Sequence, residues 1–474
     1  MELNPLQINH LYNRACFGID YNEYLGLKNS SDQVVMMKLF NNYYHKKALN
    51  VFGASPDSGI LQKIRSGEVT RQEARQMIRG QIEASRDKIR SLNVAWVEQM
   101  QTPSFAGLEK LVYFWHDHFG VRVLNGYHVE AHNNTLRLHA LGNYKDLLLA
   151  VAKDPAMISF LNNQQNVKAQ PNENFSRELL ELFTIGRGNY SEKDVKEAAR
   201  AFTGWRMNRR TASFTFDERN HDYGQKEFMG KKGKFDGEDI IEIILKDPRT
   251  AHFIAAKFYA FYVSDIPNEK HITELAEYYY KHEYHTQSLL KYMFMQPWFY
   301  EKSVVQSKIK SPLELINGYQ SQLGLSFGNK SAWLLMQRRF NQTMFYPPSV
   351  AGWPQGKEWI DSSSLLKRMK MPAVLNGMSE VHQEESPELD AADPFKPIDR
   401  KQTMESAELG LWAYQLPEGT EEEQVYSIEK YLFNKTLPNE LHQKVLEGFK
   451  KQPKHKSKNW LFITMTSLPE YQMT

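Results

Sequence analysis

The sequence predicts an all-α protein, a multi-helix orthogonal bundle-like architecture with one small β-hairpin excursion. Three observations carry this. Apolar residues recur at three- and four-residue steps through most of the chain. Asp, Asn, Ser or Thr stands before many of those runs, where a helix N-terminus needs a side-chain acceptor. Only one stretch, within residues 205–235, alternates and is rich in glycine, as a hairpin would be.

The elements follow in order. Pro5 to Phe17 is amphipathic and stops at Gly18. Thr70 to Met100 reads as one long helix, with Thr70 as N-cap and Glu73 at the capping-box spacing. Leu108 to His118 and His128 to Leu141 are two further helices, with Gly120 and Gly142 as stops. Helical patterns continue at Lys145–Ala152, Ala156–Leu161, Glu173–Ile185 and Glu192–Phe202. After the excursion they resume at Glu238–Leu245 and Ala251–Tyr262, and run on to Met295. Ser311-Pro312 opens a helix that reaches Leu323. Residues 345–364 cannot be regular, because Pro347, Pro348, Gly352, Pro354 and Gly356 break any helix or central strand. Trp353 and Trp359 on that stretch are expected either to pack as a lid or to contact a partner or glycan. The last helices fall near Glu421–Phe433, Leu441–Lys450 and Trp460–Ser467.

This organisation divides into a main helical domain over 1–380, an acidic, proline-containing linker over 381–400, and a C-terminal helical segment over 401–474 that packs on the main domain. The chain of 474 residues is long enough to bury a large core without staples. Its single cysteine, Cys16, excludes an intramolecular disulfide. The 59 basic and 56 acidic residues leave a net charge of +3, which provides no field for nucleic acid, so none is expected as a partner. No window approaches the ~18 apolar residues of a membrane span. With no visible signal peptide, the cytoplasm is the default location.

The chemistry centres on Phe114 to His139, which holds five of the fifteen histidines. Imidazole is a common metal ligand and a proton carrier near neutral pH. His128, His132 and His139 lie at i, i+4 and i+11, within about 40° on a helix. His116 and His118 point roughly 200° apart unless the helix frays before Gly120. Carboxylates are available at Glu178 and Glu181, spaced i, i+3, and Arg177 stands i, i+4 from Glu173. Asn220-His221-Asp222 adds a compact donor set in a loop. There is no HExxH zinc motif, no GxSxG elbow, no phosphate-binding loop and no CxxC pair. Trp205, Arg206, Arg209 and Arg210 form either an anion site or a cationic helix end.

Several motifs occur together and in one order: NRACFG, FWHDHF, HALGNYKDLLLAVAKDPAM, NENFSRELLELFTIGRGNYSEKDVKEAARAFTGW, HDYGQKEFMGKKGKFDG, PPSVAGWPQGKEWI and SLPEYQ. In this the chain resembles, nearly end to end, the bacterial family called domain of unknown function 1800. The resemblance implies a mostly helical protein, carries no established activity, and leaves export open because relatives are exported. The family pattern falls on Trp115, His116, His118, His139, Asn163, Glu173, Asn174, Arg177, Glu178, Glu181, His221, Asp222, Lys226, Gly352, Trp353 and Pro354, but not on His128 or His132.

Two functions are expected. In the first, the protein is a metal-assisted hydrolase or related enzyme. His116, His118, His139 and His221 would hold a divalent zinc, manganese or iron. Glu178 and Asp222 would act as base or oxygen donors, and Arg177 and Lys226 would orient a small-molecule or polymer ligand. His118, His139 and Glu178 should then converge, with the 220–226 loop closing over them. In the second, the protein is a non-catalytic binding or assembly protein with a structural histidine network, and the loop 345–364 meets its partner.

Overall fold

A computed structural model describes residues 3–53, 63, 66–208, 213–377, 407–413 and 416–474. The expected linker at 381–400, together with Arg209 and Arg210, lies outside the described residues. Twenty α-helices and three two-stranded antiparallel sheets are found among the described residues.

The chain opens with α1 (Pro5–Ala15), α2 (Tyr21–Leu27), α3 (Asp32–Tyr44) and the long α4 (Arg71–Met100). Thr70 caps α4, and Glu73 returns the bond in a complete capping box. Then come α5 (Ala106–His118), α6 (Gly126–His139), α7 (Tyr144–Ala152), α8 (Pro155–Phe160) and the short α9 (Asn174–Glu178). The sequence pattern reads Glu173–Ile185 as one helix. In the structure α9 widens into a π-helical turn at Leu179–Thr184. Helix α10 (Glu192–Ala201) leads into the excursion. There β1 (Trp205–Asn208) pairs with β2 (Ser213–Phe216), and β3 (Lys226–Phe228) with β4 (Lys231–Gly233).

Helices α11 (Gly237–Leu245), α12 (Pro248–Tyr262), α13 (Glu269–Lys281), α14 (Thr286–Phe294), α15 (Pro312–Leu323), α16 (Ser331–Arg339) and α17 (Ser362–Leu375) complete the long helical body. A small pair, β5 (Ser326–Phe327) with β6 (Ala407–Glu408), precedes α18 (Glu421–Phe433), α19 (Asn439–Lys450) and α20 (Lys454–Thr466). None of the described helices is long and apolar enough to cross a membrane.

Helix α5 is the centre of the molecule. Every residue from Gly107 to His116 on it is buried, which a helix achieves only when neighbours cover its whole circumference. Its polar side chains are consumed in bonds to those neighbours. Glu109 receives both the Nε and Nη2 of Arg137 from α6 (2.7 and 2.8 Å), the indole of Trp96 (2.6 Å) and the amide of Gln99 (2.9 Å), both from α4. Lys110 reaches Glu314 on α15 at 2.6 Å. Phe114 and Trp115 pack against Phe258 of α12, with centroids 4.4 and 5.5 Å away.

The two ends of the described chain share this core. Asn9 of α1 donates to the Tyr431 carbonyl of α18, and the Tyr431 hydroxyl donates to the Ile19 carbonyl at 2.7 Å. Arg14, fully buried, donates to the Thr474 carbonyl at 2.7 Å.

Candidate functional site

The HDH triplet at the end of α5 sends three side chains in three directions. The helix stops at Phe119, and Gly120 brings the backbone against the carbonyls of Ser349 and Val350, 3.1 Å from where a Cβ would stand. The C-terminal turn of α5 is thus pressed onto the irregular 345–364 stretch.

His116 points into an aromatic box of Trp96, Phe345 and Trp353, with centroids 5.0 to 5.4 Å away. Its Nε2 accepts the Phe345 N–H at 3.2 Å, so the neutral ring carries its proton on Nδ1, which has no partner. Burial, with the neighbouring His132 adding to it, lowers its pKa to about 3.

His118 points the other way, against Phe119, Tyr144 and Phe183. The Tyr144 hydroxyl donates to the Phe183 carbonyl at 2.5 Å, which leaves its oxygen to accept from His118 Nε2 at 3.0 Å. Burial, then the Lys257 charge, keeps this ring neutral well below its ordinary range.

Asp117, between them, binds the loop. Its Oδ1 accepts the Trp353 N–H at 2.8 Å and its Oδ2 accepts the Gln355 amide at 2.7 Å. Gly352 makes that approach possible. Its φ is +85°, and a Cβ there would stand 2.3 Å from Asp117 Oδ1. Lys257 of α12, whose charge acts on Asp117, is partly buried, over the Phe253 ring at 5.0 Å and donating to the Leu182 carbonyl at 3.2 Å. Leu182 belongs to the π turn, a helical irregularity frequent at functional sites. Burial raises Asp117 to about 6, against the opposing Trp353 amide and Lys257 charge. Burial lowers Lys257 to about 8, with Asp117 opposing. A desolvated carboxylate and a desolvated ammonium that titrate on either side of neutrality are poised for proton transfer.

The other expected residues lie elsewhere. His139, at the end of α6, is partly buried, and burial lowers its pKa against the Asp146 charge. Glu178 is partly buried at the end of α9; burial and then the Glu181 charge raise its carboxyl. Arg177 forks onto both oxygens of Glu192 at 2.8 Å and reaches Glu173 at 3.0 Å, joining α9 to α10. The i, i+4 pair with Glu173 is the one the spacing suggests.

The 220–226 loop closes on itself and on the end of α10. His221 Nδ1 donates to the Thr203 carbonyl at 2.8 Å. Asp222 accepts Arg200 Nε at 2.7 Å and the Gly224 N–H at 2.7 Å; burial pushes its carboxyl up, but these bonds hold it below its ordinary value. Lys226 caps the carbonyls of Asp222 and Gly224 at 2.5 and 3.2 Å.

Among the described residues His118, His139 and Glu178 do not gather as a metal-ligand group, and the 220–226 loop bonds to Thr203 and Arg200. Among the described residues no three His, Cys, Asp or Glu side chains gather as a metal's ligands would. The four histidines occupy separate settings and do not fit one metal as a set. The histidine stripe on α6 divides as well: His132 is buried 3.5 Å from Asp154, while His139 is partly exposed. Trp353 and Trp359 face inward, 5% and 7% exposed, as the packing alternative requires.

Sequence reasoning passed over Asp117 and Lys257. Asp117 sits inside FWHDHF, where the flanking histidines drew the reading. Lys257 has no local signal, because its setting is made by α5 and the π turn. Comparison with known proteins adds a frame to this geometry. No curated protein and no solved structure matches the chain. The sequence model of the family described as protein of unknown function (DUF1800) matches residues 10–473, so the chain belongs to that family.

Proposed function

We propose that the protein is an acid–base catalyst, of hydrolytic or related type, working through Lys257 and Asp117. What supports this reading is that Lys257 donates to the π turn while its charge acts on Asp117, with burial lowering the lysine and raising the carboxyl. Burial, by lowering Lys257, enlarges the fraction present as free amine at neutral pH. That amine takes a proton from water or a substrate hydroxyl, and the Asp117 carboxylate stabilises the ammonium formed. Asp117 is itself held in place by the Trp353 and Gln355 donors. The expected zinc, manganese or iron enters no step of this reading.

A second reading, a non-catalytic binding or assembly protein, is favoured by one specific observation. His116, Asp117, Gly352, Arg177 and His221 are all engaged in joining segments of this chain to one another, and Lys226 closes its own loop.

Competitive acylation with acetic anhydride over a pH series, quantified at Lys257 by mass spectrometry, separates the two. The catalytic reading expects a midpoint near 8, and turnover of at least one aryl acetate, aryl phosphate or aryl glycoside that Lys257→Met abolishes while the fold persists. A midpoint with the surface lysines, or turnover indifferent to Lys257→Met, overturns it. So does one stoichiometric metal per untagged chain that is lost in His139→Ala, which would restore the metal-assisted alternative.

A further inference from the structure

A separate cavity of about 230 Å³ opens between the end of α1, the start of α2, the turn joining α4 to α5, and α15. Its wall is mixed in a way a packing defect is not. Phe17, Met100 and Ala106 supply apolar surface. Tyr12 and Asn317, 2% and 1% exposed, each line the space and each keep a buried polar atom, Tyr12 Oη and Asn317 Oδ1, without a partner. Gln101 does the same with its Nε2. Buried polar atoms left unpaired cost about 1–3 kcal/mol each, and a dry apolar void would contain none. The charge on the wall has one sign. Asp20 and Glu23 line the cavity, and no Lys, Arg or His is among its described lining residues. Asp20 spends one oxygen, Oδ1, in capping α2, taking the amides of Asn22 and Glu23, whereas the Glu23 carboxylate caps nothing. Glu23 is therefore the acidic group left for a ligand.

We propose that this cavity binds a small amine with an apolar body, its ammonium directed to Glu23 and Asn317 Oδ1 and its body against Phe17, Met100 and Ala106. An ammonium carries only donors, which suits a carboxylate and an unpaired amide oxygen. An anion would meet Asp20 and Glu23, and Lys38, the cation whose charge reaches Glu23, lies outside the lining. The volume suits a ligand at the small end of the range of binding pockets.

Three isosteric probes test the assignment by calorimetry on the full chain: 2-phenylethylamine, 2-phenylethanol and phenylacetate. The amine should bind saturably, the alcohol more weakly, and the acid not at all. Glu23→Gln, a change at a partly exposed position, should cost the amine roughly tenfold or more in affinity and bring it level with the alcohol. Ala106→Leu, which fills the space, should abolish binding of both. Absence of saturable amine binding, equal binding of the acid, an amine preference that survives Glu23→Gln, or binding that survives Ala106→Leu each overturns the proposal. If Ala106→Leu does not fold, the Glu23→Gln comparison across the three probes still decides it.

Discussion

Asp117 and Gly352 form a contact in which neither residue can be exchanged alone. The carboxylate needs the backbone of the 352–355 turn within hydrogen-bond reach, and only a residue without Cβ allows it. Gly352→Ala meets two obstacles at once: a φ of +85° and a Cβ 2.3 Å from Asp117 Oδ1. It should lower stability by about 1–3 kcal/mol, read as a shift in the denaturant midpoint. A change below about 0.5 kcal/mol would mean that the turn is not pressed on Asp117. Gly377, also at positive φ but with open space at its Cβ position, is a control in which strain acts without the clash. The importance of Gly352 is visible in the sequence as a glycine between prolines. Its partner is not, because 235 residues of chain separate the two and only the packing of α5 on the loop joins them.

At the scale of elements, capping chemistry is local and therefore readable. Thr70 and Glu73 form the reciprocal box that their spacing announces, at 2.7 and 3.2 Å. The same device opens α1, α10, α11, α15, α17 and α18. Thr70→Ala should cost about 1 kcal/mol, with earlier hydrogen exchange in the first turn of α4 and little change in its last turns. Uniform loss of protection along α4 would instead mean that the cap acts on the whole helix. The π turn shows the opposite limit. Leu179–Thr184 carries an ordinary helical pattern, and nothing in its residues separates π from α. The widening is sustained by tertiary bonds: Phe183 offers its carbonyl to Tyr144, and Leu182 offers its own to Lys257. Such partners are invisible to periodicity, and for the same reason the expected convergence of His118, His139 and Glu178 could not be tested by helical geometry alone. Amphipathic spacing says which face a side chain occupies, not which neighbour covers that face.

Across the whole molecule, buried histidines set the response to acid. His10, His116 and His118 are all depressed, chiefly by burial. A depressed folded-state pKa means stability present above the unfolded value of 6.5 and lost as pH falls below it. Asp117 works in the other direction, since its folded carboxyl titrates at about 6 and its unfolded one near 3.8. The three rings favour proton uptake on unfolding as pH falls through 6.5 and Asp117 opposes it, so stability should slope downward as pH falls below about 6. Denaturant melts at half-unit steps should show that slope. His118→Phe should make it shallower, and an unchanged slope would show that the ring is not held neutral. That histidines cluster between Phe114 and His139 is plain from the sequence; that burial lowers the pKa of His116 and His118 is a property of the assembled core.

The bonds from Asn9 to Tyr431 and from Arg14 to Thr474 bear on how the molecule is made. They span 422 and 460 positions of chain. During synthesis, which proceeds at about 5–20 residues per second, α1 is made tens of seconds before the segments at Tyr431 and Thr474 that complete its cover. Over that interval α1 is only partly covered, by earlier segments such as Tyr43, Phe299 and Val304, the last of which accepts from the Arg14 guanidinium. Closure of the core waits on both segments, and such distant contacts make for slow folding. Biosynthesis, more than equilibrium stability, is where this architecture is exposed.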